Sequence, residues 1–251
     1  MKRINSLLIL CVVSLPLWAA GGGQHMMHVD VDLSDQASLQ RGARTFVNYC
    51  LSCHSASYMR FNRMGEDLGI SENILESNFM FGAEKTGDTM EVAMRPEDGE
   101  QFFGGIAPPD LSVIARARGA DWLYTYFMTF YRDPSRPFGV NNLAFKDVSM
   151  PHVLWELQGW QRPVYVEKTG SDGGTVKRID HLELESPPQK PAVYQDQDYD
   201  QIVRDLVNFL VYLGEPVKLK RYTIGVWVML YLFVLLAIVY LLKKAYWRDI
   251  H

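Results

Sequence analysis

The sequence predicts a mainly α domain with long loops and a small β-hairpin, followed by one C-terminal transmembrane helix. Three observations predict it. Apolar residues recur at helical spacing in four stretches of the middle of the chain. Strand-like segments around a glycine-rich turn occur once, and a nineteen-residue run without charge lies near the C-terminus. The 251 residues are 48% hydrophobic and 22% charged, with a formal net charge of −4. That supports one packed domain, and is too polar for a multi-span membrane protein and too apolar for a disordered chain. The mild acidity argues against nucleic acid as a partner. Three cysteines are too few for a disulfide scaffold and cannot alone form a four-cysteine zinc site.

The elements follow in order. Lys2 and Arg3, an uncharged apolar run over 7–17, and small residues at Ala19 and Ala20 give residues 1–20 the pattern of a signal peptide. Cys11 falls inside it, so cleavage leaves Cys50 and Cys53. Residues 21–215 are then an exported domain. Ser34 is expected to cap a helix running to Tyr49, with Ala43, Phe46, Val47 and Cys50 on one side. Helices are also expected over 111–117, over 121–131 with its aromatic stripe, and over 199–213, where Gly214 and Pro216 supply a stop. Residues 164–166 and 175–179 flank the turn Gly170-Ser171-Asp172-Gly173-Gly174 as a small hairpin. The stretches 65–110 and 183–198, rich in Gly, Pro and acidic residues, are expected to be long ordered loops.

Residues 216–223 form a basic linker, and 224–242 span a membrane: nineteen helical residues measure roughly 28 Å, close to the hydrocarbon thickness. Lysine and arginine are balanced on the two sides of this span, so charge does not orient it. Export of the domain does, and it leaves 243–251 as a cytoplasmic tail. Lys218, Lys220 and Arg221 then face the outer leaflet, where they suit anionic lipid. The leader carries +2 and residues 224–251 carry +3 and −1, which leaves about −8 on the exported part. A tethered acidic domain suits a basic soluble partner.

The chemistry lies in Cys50-Leu51-Ser52-Cys53-His54. C-x-x-C-H is the attachment signature of a c-type haem. Two thiols separated by two residues can each form a thioether to one porphyrin, and the next residue presents its imidazole to the iron. A redox disulfide wants a thioredoxin-like context, and a zinc site wants a second ligand pair; neither is present. A second axial ligand is required for a six-coordinate iron, and methionine in that place favours Fe(II). Met59, Met64, Met80, Met90, Met94, Met128 and Met150 are the candidates. Met150 sits in the loop Val148-Ser149-Met150-Pro151-His152, suited to delivery from an extended segment, with His152 as a rival two residues on.

The order of motifs resembles cytochrome c1, the haem-bearing subunit of the cytochrome bc1 complex. The resemblance rests on the leader, Cys50-Leu51-Ser52-Cys53-His54, Gly105-Ile106-Ala107-Pro108-Pro109-Asp110-Leu111-Ser112, Arg116-Ala117-Arg118, the Met150-Pro151 loop, Tyr212-Leu213-Gly214-Glu215-Pro216 and the single C-terminal span. It implies a cytochrome c-type haem domain carrying one covalent haem c on Cys50 and Cys53. His54 and Met150 would be the axial ligands, Pro109 would lie against the haem near His54, and Arg118 would meet a propionate. It further implies a cytochrome b subunit and a Rieske iron–sulfur protein as partners, a basic or tethered cytochrome c as acceptor, and a dimer of the whole complex. The compact leader and short tail point to a bacterial inner membrane with the haem domain in the periplasm. The acidic stretch 72–100 is a candidate docking surface. Two alternatives compete: a free-standing membrane-anchored cytochrome c feeding an oxidase, and a haem peroxidase with an open iron position.

Deleting 224–251 is expected to release the haem domain from membranes in the absence of other subunits, as read by fractionation. Persistence in the membrane pellet would overturn the assignment of this segment as the anchor.

Overall fold

A computed structural model describes residues 26–92, 94–169 and 175–248. The leader with Cys11, His25, the turn at 170–174 and the last three residues of the tail lie outside the described residues. In chain order the first half holds α1 (Gln36–Tyr49), β1 (Ala56–Arg60), α2 (Phe61–Leu68), α3 (Glu72–Asn78), β2 (Thr89–Met90), α4 (Pro96–Phe102) and α5 (Ile114–Arg118). The second half holds α6 (Ala120–Met128), β3 (Phe130–Arg132), β4 (Val140–Asn142), α7 (Trp155–Gln158), β5 (Trp160–Thr169), β6 (Thr175–Ser186), α8 (Tyr199–Gly214) and α9 (Lys218–Tyr246). Among the described residues strands pair only in antiparallel twos, β1 with β2, β3 with β4 and β5 with β6.

The core forms where α1 crosses α8. Gly42 makes the crossing close: a Cβ there would stand 2.1 Å from the carbonyl oxygen of Asp205 and 2.7 Å from the Phe209 Cβ. Phe46 and Phe209, both fully buried, meet at 5.5 Å between ring centroids. Burying each such ring is worth about 1.5–3 kcal/mol. Beside them Arg41 grips the buried Asp205 carboxylate with Nε at 2.6 Å and Nη2 at 3.0 Å. A buried pair of this kind adds little net stability, because desolvation offsets the attraction, so the aromatic and aliphatic burial dominates. The pair does matter for register, since a slipped α1 would leave Asp205 charged and unpaired. Helix α6 packs on the start of α8, where Tyr199 donates to the Phe127 carbonyl at 2.8 Å and Tyr124 to Asp200.

Several boundaries differ from the sequence reading, each for a local reason. Asp35, not Ser34, caps α1: its carboxylate accepts from the Ser38 N–H at 3.0 Å. Ser34 instead donates its N–H and hydroxyl to Asp32, at 2.8 and 2.6 Å. The helix expected over 111–117 is the shorter α5, because the Leu111 N–H is drawn to the Ser55 carbonyl at 2.8 Å. The aromatic helix ends at Met128, since Phe130 and Tyr131 pair with Asn142 and Asn141 as a strand.

The loop expected over 65–110 contains the end of α2, then α3, β2 and α4. Helices of seven residues are too short for an apolar period to show; α3 buries Leu75 and is followed by a buried Phe79. In the acidic stretch, Asp88 accepts from the N–H groups of Glu84 and Lys85, and Asp98 pairs with Arg95. The hairpin is longer than expected, and β6 extends to Ser186 into the stretch read as loop 183–198, which also holds a 3₁₀ turn at Ala192–Tyr194. The basic segment 216–223 is mostly helical. Lys218, Lys220 and Arg221 belong to the first turns of α9, and Arg221 pairs with Glu215 at 2.5 Å.

Helix α9 is 29 residues long and long and apolar enough to cross a membrane, with none of it buried against the domain. At 1.5 Å per residue it measures roughly 43 Å, enough for the hydrocarbon core and both headgroup layers.

Gly42→Ala is expected to destabilise the domain by about 3 kcal/mol, because the new methyl meets a backbone carbonyl that no rotamer can move. For a chain of this size that is a drop of roughly 6–12 °C in thermal midpoint. An unchanged midpoint in detergent-solubilised protein would show that α1 and α8 can part at no cost.

Candidate haem site

The C-terminal end of α1 turns directly into the Cys50–His54 segment. The Cys50 and Leu51 N–H groups both return to the Phe46 carbonyl, at 2.8 and 3.0 Å. Cys53 and His54 then both bond the Cys50 carbonyl, at 3.0 and 2.8 Å. This tight turn places both cysteines and His54 against one cavity of about 400 Å³. Both thiols are free, Cys50 buried and Cys53 half-buried. Burial pushes the Cys50 thiol up to about 12, so it stays protonated near neutrality.

His54 is held by a loop from the other side of the cavity. Its Nδ1 lies 2.7 Å from the Pro109 carbonyl oxygen, which can only accept. The proton is therefore on Nδ1, and Nε2 keeps its lone pair. Burial outweighs that hydrogen bond and holds the imidazole below its ordinary pKa, hence neutral. A neutral ring with one nitrogen pinned to a carbonyl is the form in which histidine ligates a metal. Asp110 locks the loop in place. Although burial opposes its ionisation, hydrogen bonds from Ser112 and Ser57 win and hold its pKa below the usual carboxylate value.

Met150 lines the same cavity, delivered by the loop that follows β4. Two buried asparagines shape that loop. Asn142 donates to the Tyr126 carbonyl at 2.7 Å and accepts from the N–H groups of Ala144 and Phe145, at 2.8 and 3.1 Å. Asn141 accepts from Asp147 N–H at 2.8 Å and donates to Asp133 at 3.0 Å. Asp147 takes a left-handed backbone (φ 64°) and is held by Arg136. The Met150 sulfur lies 3.3 Å from the Tyr126 hydroxyl.

Of the methionines weighed from the sequence, Met150 alone lines the cavity among the described residues. Met59, Met64 and Met90 are buried in the core, and Met128 lends its backbone carbonyl to Gln158 and Gln161. His152, the rival, is turned away. It stacks on Phe130 at 4.9 Å with the rings 4° from parallel, and burial depresses its pKa to about 4. Arg118 stands at the cavity rim with its guanidinium 5.0 Å from the Trp122 ring and 5.9 Å from Phe145, and pairs with no carboxylate among the described residues. Arg116 lies against Gly214 instead.

The sequence pattern missed Tyr126, Asn141 and Asn142. Tyr126 was hidden in a stripe that reads as core packing; the Asn-Asn pair, close after Gly139, was a turn signal without an evident purpose.

Residues 30–161 and 191–250 match the model of the Cytochrome C1 family. The chain belongs to the cytochrome c1 family. A cytochrome c1 of Allochromatium vinosum is 46% identical over 253 residues, covering 100% of both chains. A protein named ammonia monooxygenase gamma subunit, of Nitrosomonas europaea, is 48% identical over 251 residues, covering 99% of this chain and 100% of that one. A cytochrome c1 of Rhodospirillum rubrum is 28% identical over 237 residues, covering 86% and 83%. As a member of that family the chain is a haem-binding electron-transfer subunit of a bc1-type complex. The family pattern skips 162–190, where most of the β5–β6 hairpin lies, so the side chains that line the cavity fall within the shared part.

Asn142→Ala would leave two N–H groups and one carbonyl without their partner, at about 1–3 kcal/mol for each group that water cannot reach. The expected outcome is a loss of about 2–4 kcal/mol and faster proteolysis within 143–150, checked by thermal unfolding and mapped cleavage.

Proposed function

We propose that Cys50 and Cys53 hold a single haem c through thioether bonds, that His54 and Met150 are its axial ligands, and that the chain relays one electron from a Rieske iron–sulfur protein to a cytochrome c. The observation that carries this is the meeting of Cys50, Cys53, His54 and Met150 on one largely apolar cavity, although the methionine is about a hundred residues from the motif. The donor set suits a flat apolar macrocycle bound at both faces: two thiols within one turn, an imidazole nitrogen left free by Pro109, and a thioether on a braced loop.

Bound there, haem supplies reversible one-electron chemistry between Fe(III) and Fe(II), with methionine ligation and burial favouring the reduced state. The protein's own part is positional. The Pro109 carbonyl fixes the His54 ring, the asparagine pair fixes the approach of Met150, and the apolar walls limit water. Arg118, cationic at the rim and without a carboxylate partner among the described residues, suits an anionic propionate. The same reading puts the haem domain in the periplasm, with α9 crossing the inner membrane and Lys218, Lys220 and Arg221 at the outer leaflet. Cytochrome b would be a further partner in a dimeric complex.

A second reading is favoured by the name of the Nitrosomonas europaea relative, which would make the same redox unit serve a monooxygenase. Co-purification separates the two: cytochrome b and a Rieske protein support the first, and the subunits of a monooxygenase the second.

Met150→Leu tests the site. The purified variant should retain covalent haem, lose the methionine–iron charge-transfer band in the far red, become high-spin and bind cyanide readily. A low-spin spectrum unchanged by the substitution would exclude Met150 as the ligand.

A further inference from the structure

We infer that Tyr126 is a positioning residue for Met150 that sets the reduction potential of the redox centre through the hydrogen bond to the methionine sulfur. The inference rests on the proposed ligation by Met150 and goes beyond it by assigning a role to a side chain that ligates nothing.

A thioether sulfur carries two lone pairs and is a weak acceptor. With the Tyr126 hydroxyl donating to it at 3.3 Å, one pair is engaged and the other remains for a metal. The positive end of the O–H dipole then faces the sulfur and draws electron density from it. A poorer donor stabilises the oxidised metal less than the reduced one, so the bond raises the potential.

Packing alone does not account for the hydroxyl. The Tyr126 ring is held on three sides: stacked on Trp122 at 5.0 Å, and edge-on to Phe127 at 5.5 Å and to Phe130 at 5.0 Å. Phenylalanine would fill that space equally well, and a buried hydroxyl is costly unless it finds a partner. Among the described residues the sulfur of Met150 is the partner it finds. Donor and acceptor are also locked to a common frame. Asn142 bonds the Tyr126 carbonyl with one end of its amide and, with the other, the N–H groups that begin the Met150 loop. The O–H···S distance is thus fixed at both ends by hydrogen bonds of the buried Asn142 amide, as a tuning interaction requires.

The test uses the full chain in its complex and reads midpoint potential by redox titration together with the methionine–iron band. Tyr126→Phe is expected to shift the equilibrium about threefold towards the oxidised form. At 59 mV per tenfold for one electron that is about 30 mV lower. The band should persist, displaced in wavelength. Tyr124→Phe is the control: its hydroxyl meets Asp200 away from the cavity, and the potential should stay in place. Incorporating 3-fluorotyrosine at position 126 keeps the ring and makes the hydroxyl a stronger donor, so the potential should rise; this arm carries the test if Tyr126→Phe does not accumulate. An unaltered potential in the phenylalanine variant, or in the fluorinated one where only that is obtained, overturns the inference while the band remains. Absence of the band from the wild-type protein would instead overturn Met150 ligation, and this inference with it.

Discussion

Gly42 lets helix Gln36–Tyr49 lie against helix Tyr199–Gly214 at a distance no other residue permits, and the haem-site turn takes its position from that crossing. The Cys50 and Leu51 N–H groups hang from the Phe46 carbonyl, and Phe46 is itself wedged on Phe209. Any shift of the first helix along the second would therefore move both cysteines and His54 together. Apolar burial supplies the energy of the crossing, while the Arg41–Asp205 pair penalises the wrong register, because a buried carboxylate without its arginine costs about 3–5 kcal/mol.

The far wall of the cavity is built by different means. No long helix delivers Met150; the loop before it is shaped by hydrogen bonds to two buried asparagine side chains, and their partners include the backbone of Tyr126. Such networks are worth having only when satisfied, and here both amides bond with both ends. One side of the site is thus positioned by packing and the other by directional polar contacts, and the two meet at the aromatic helix Ala120–Met128. That helix packs on the second core helix through Tyr199 and Tyr124, and it presents Trp122 and Tyr126 to the cavity.

The remaining elements serve location more than chemistry. Lys218–Tyr246 follows the core helix after only three residues, and its exposed apolar surface is what a bilayer covers. The hairpin Trp160–Thr169 with Thr175–Ser186 is tied to the domain at its root, where Gln161 donates to the carbonyls of Met128 and Phe130. It lies largely within the part that the family pattern skips.

What could be read from the sequence was whatever is local in it. Cys50, Cys53 and His54 declare themselves by spacing, because C-x-x-C-H is a compact local signature that one turn of chain brings together. The C-terminal span declares itself by length, because the bilayer sets it. Core helices with a long apolar face, 36–49 and 199–214, were legible within a residue or two. Helices of seven residues in the acidic stretch were not, since two apolar contacts make no period. Residue spacing favoured Met150 without excluding the other methionines or His152, and the family resemblance singled it out; tertiary structure turns His152 onto Phe130 and puts Met150 on the cavity wall. Tyr126 and Asn142 acquire meaning in the same way. Their roles depend on partners brought near by the crossing of two distant helices, and residue spacing along the chain does not record that.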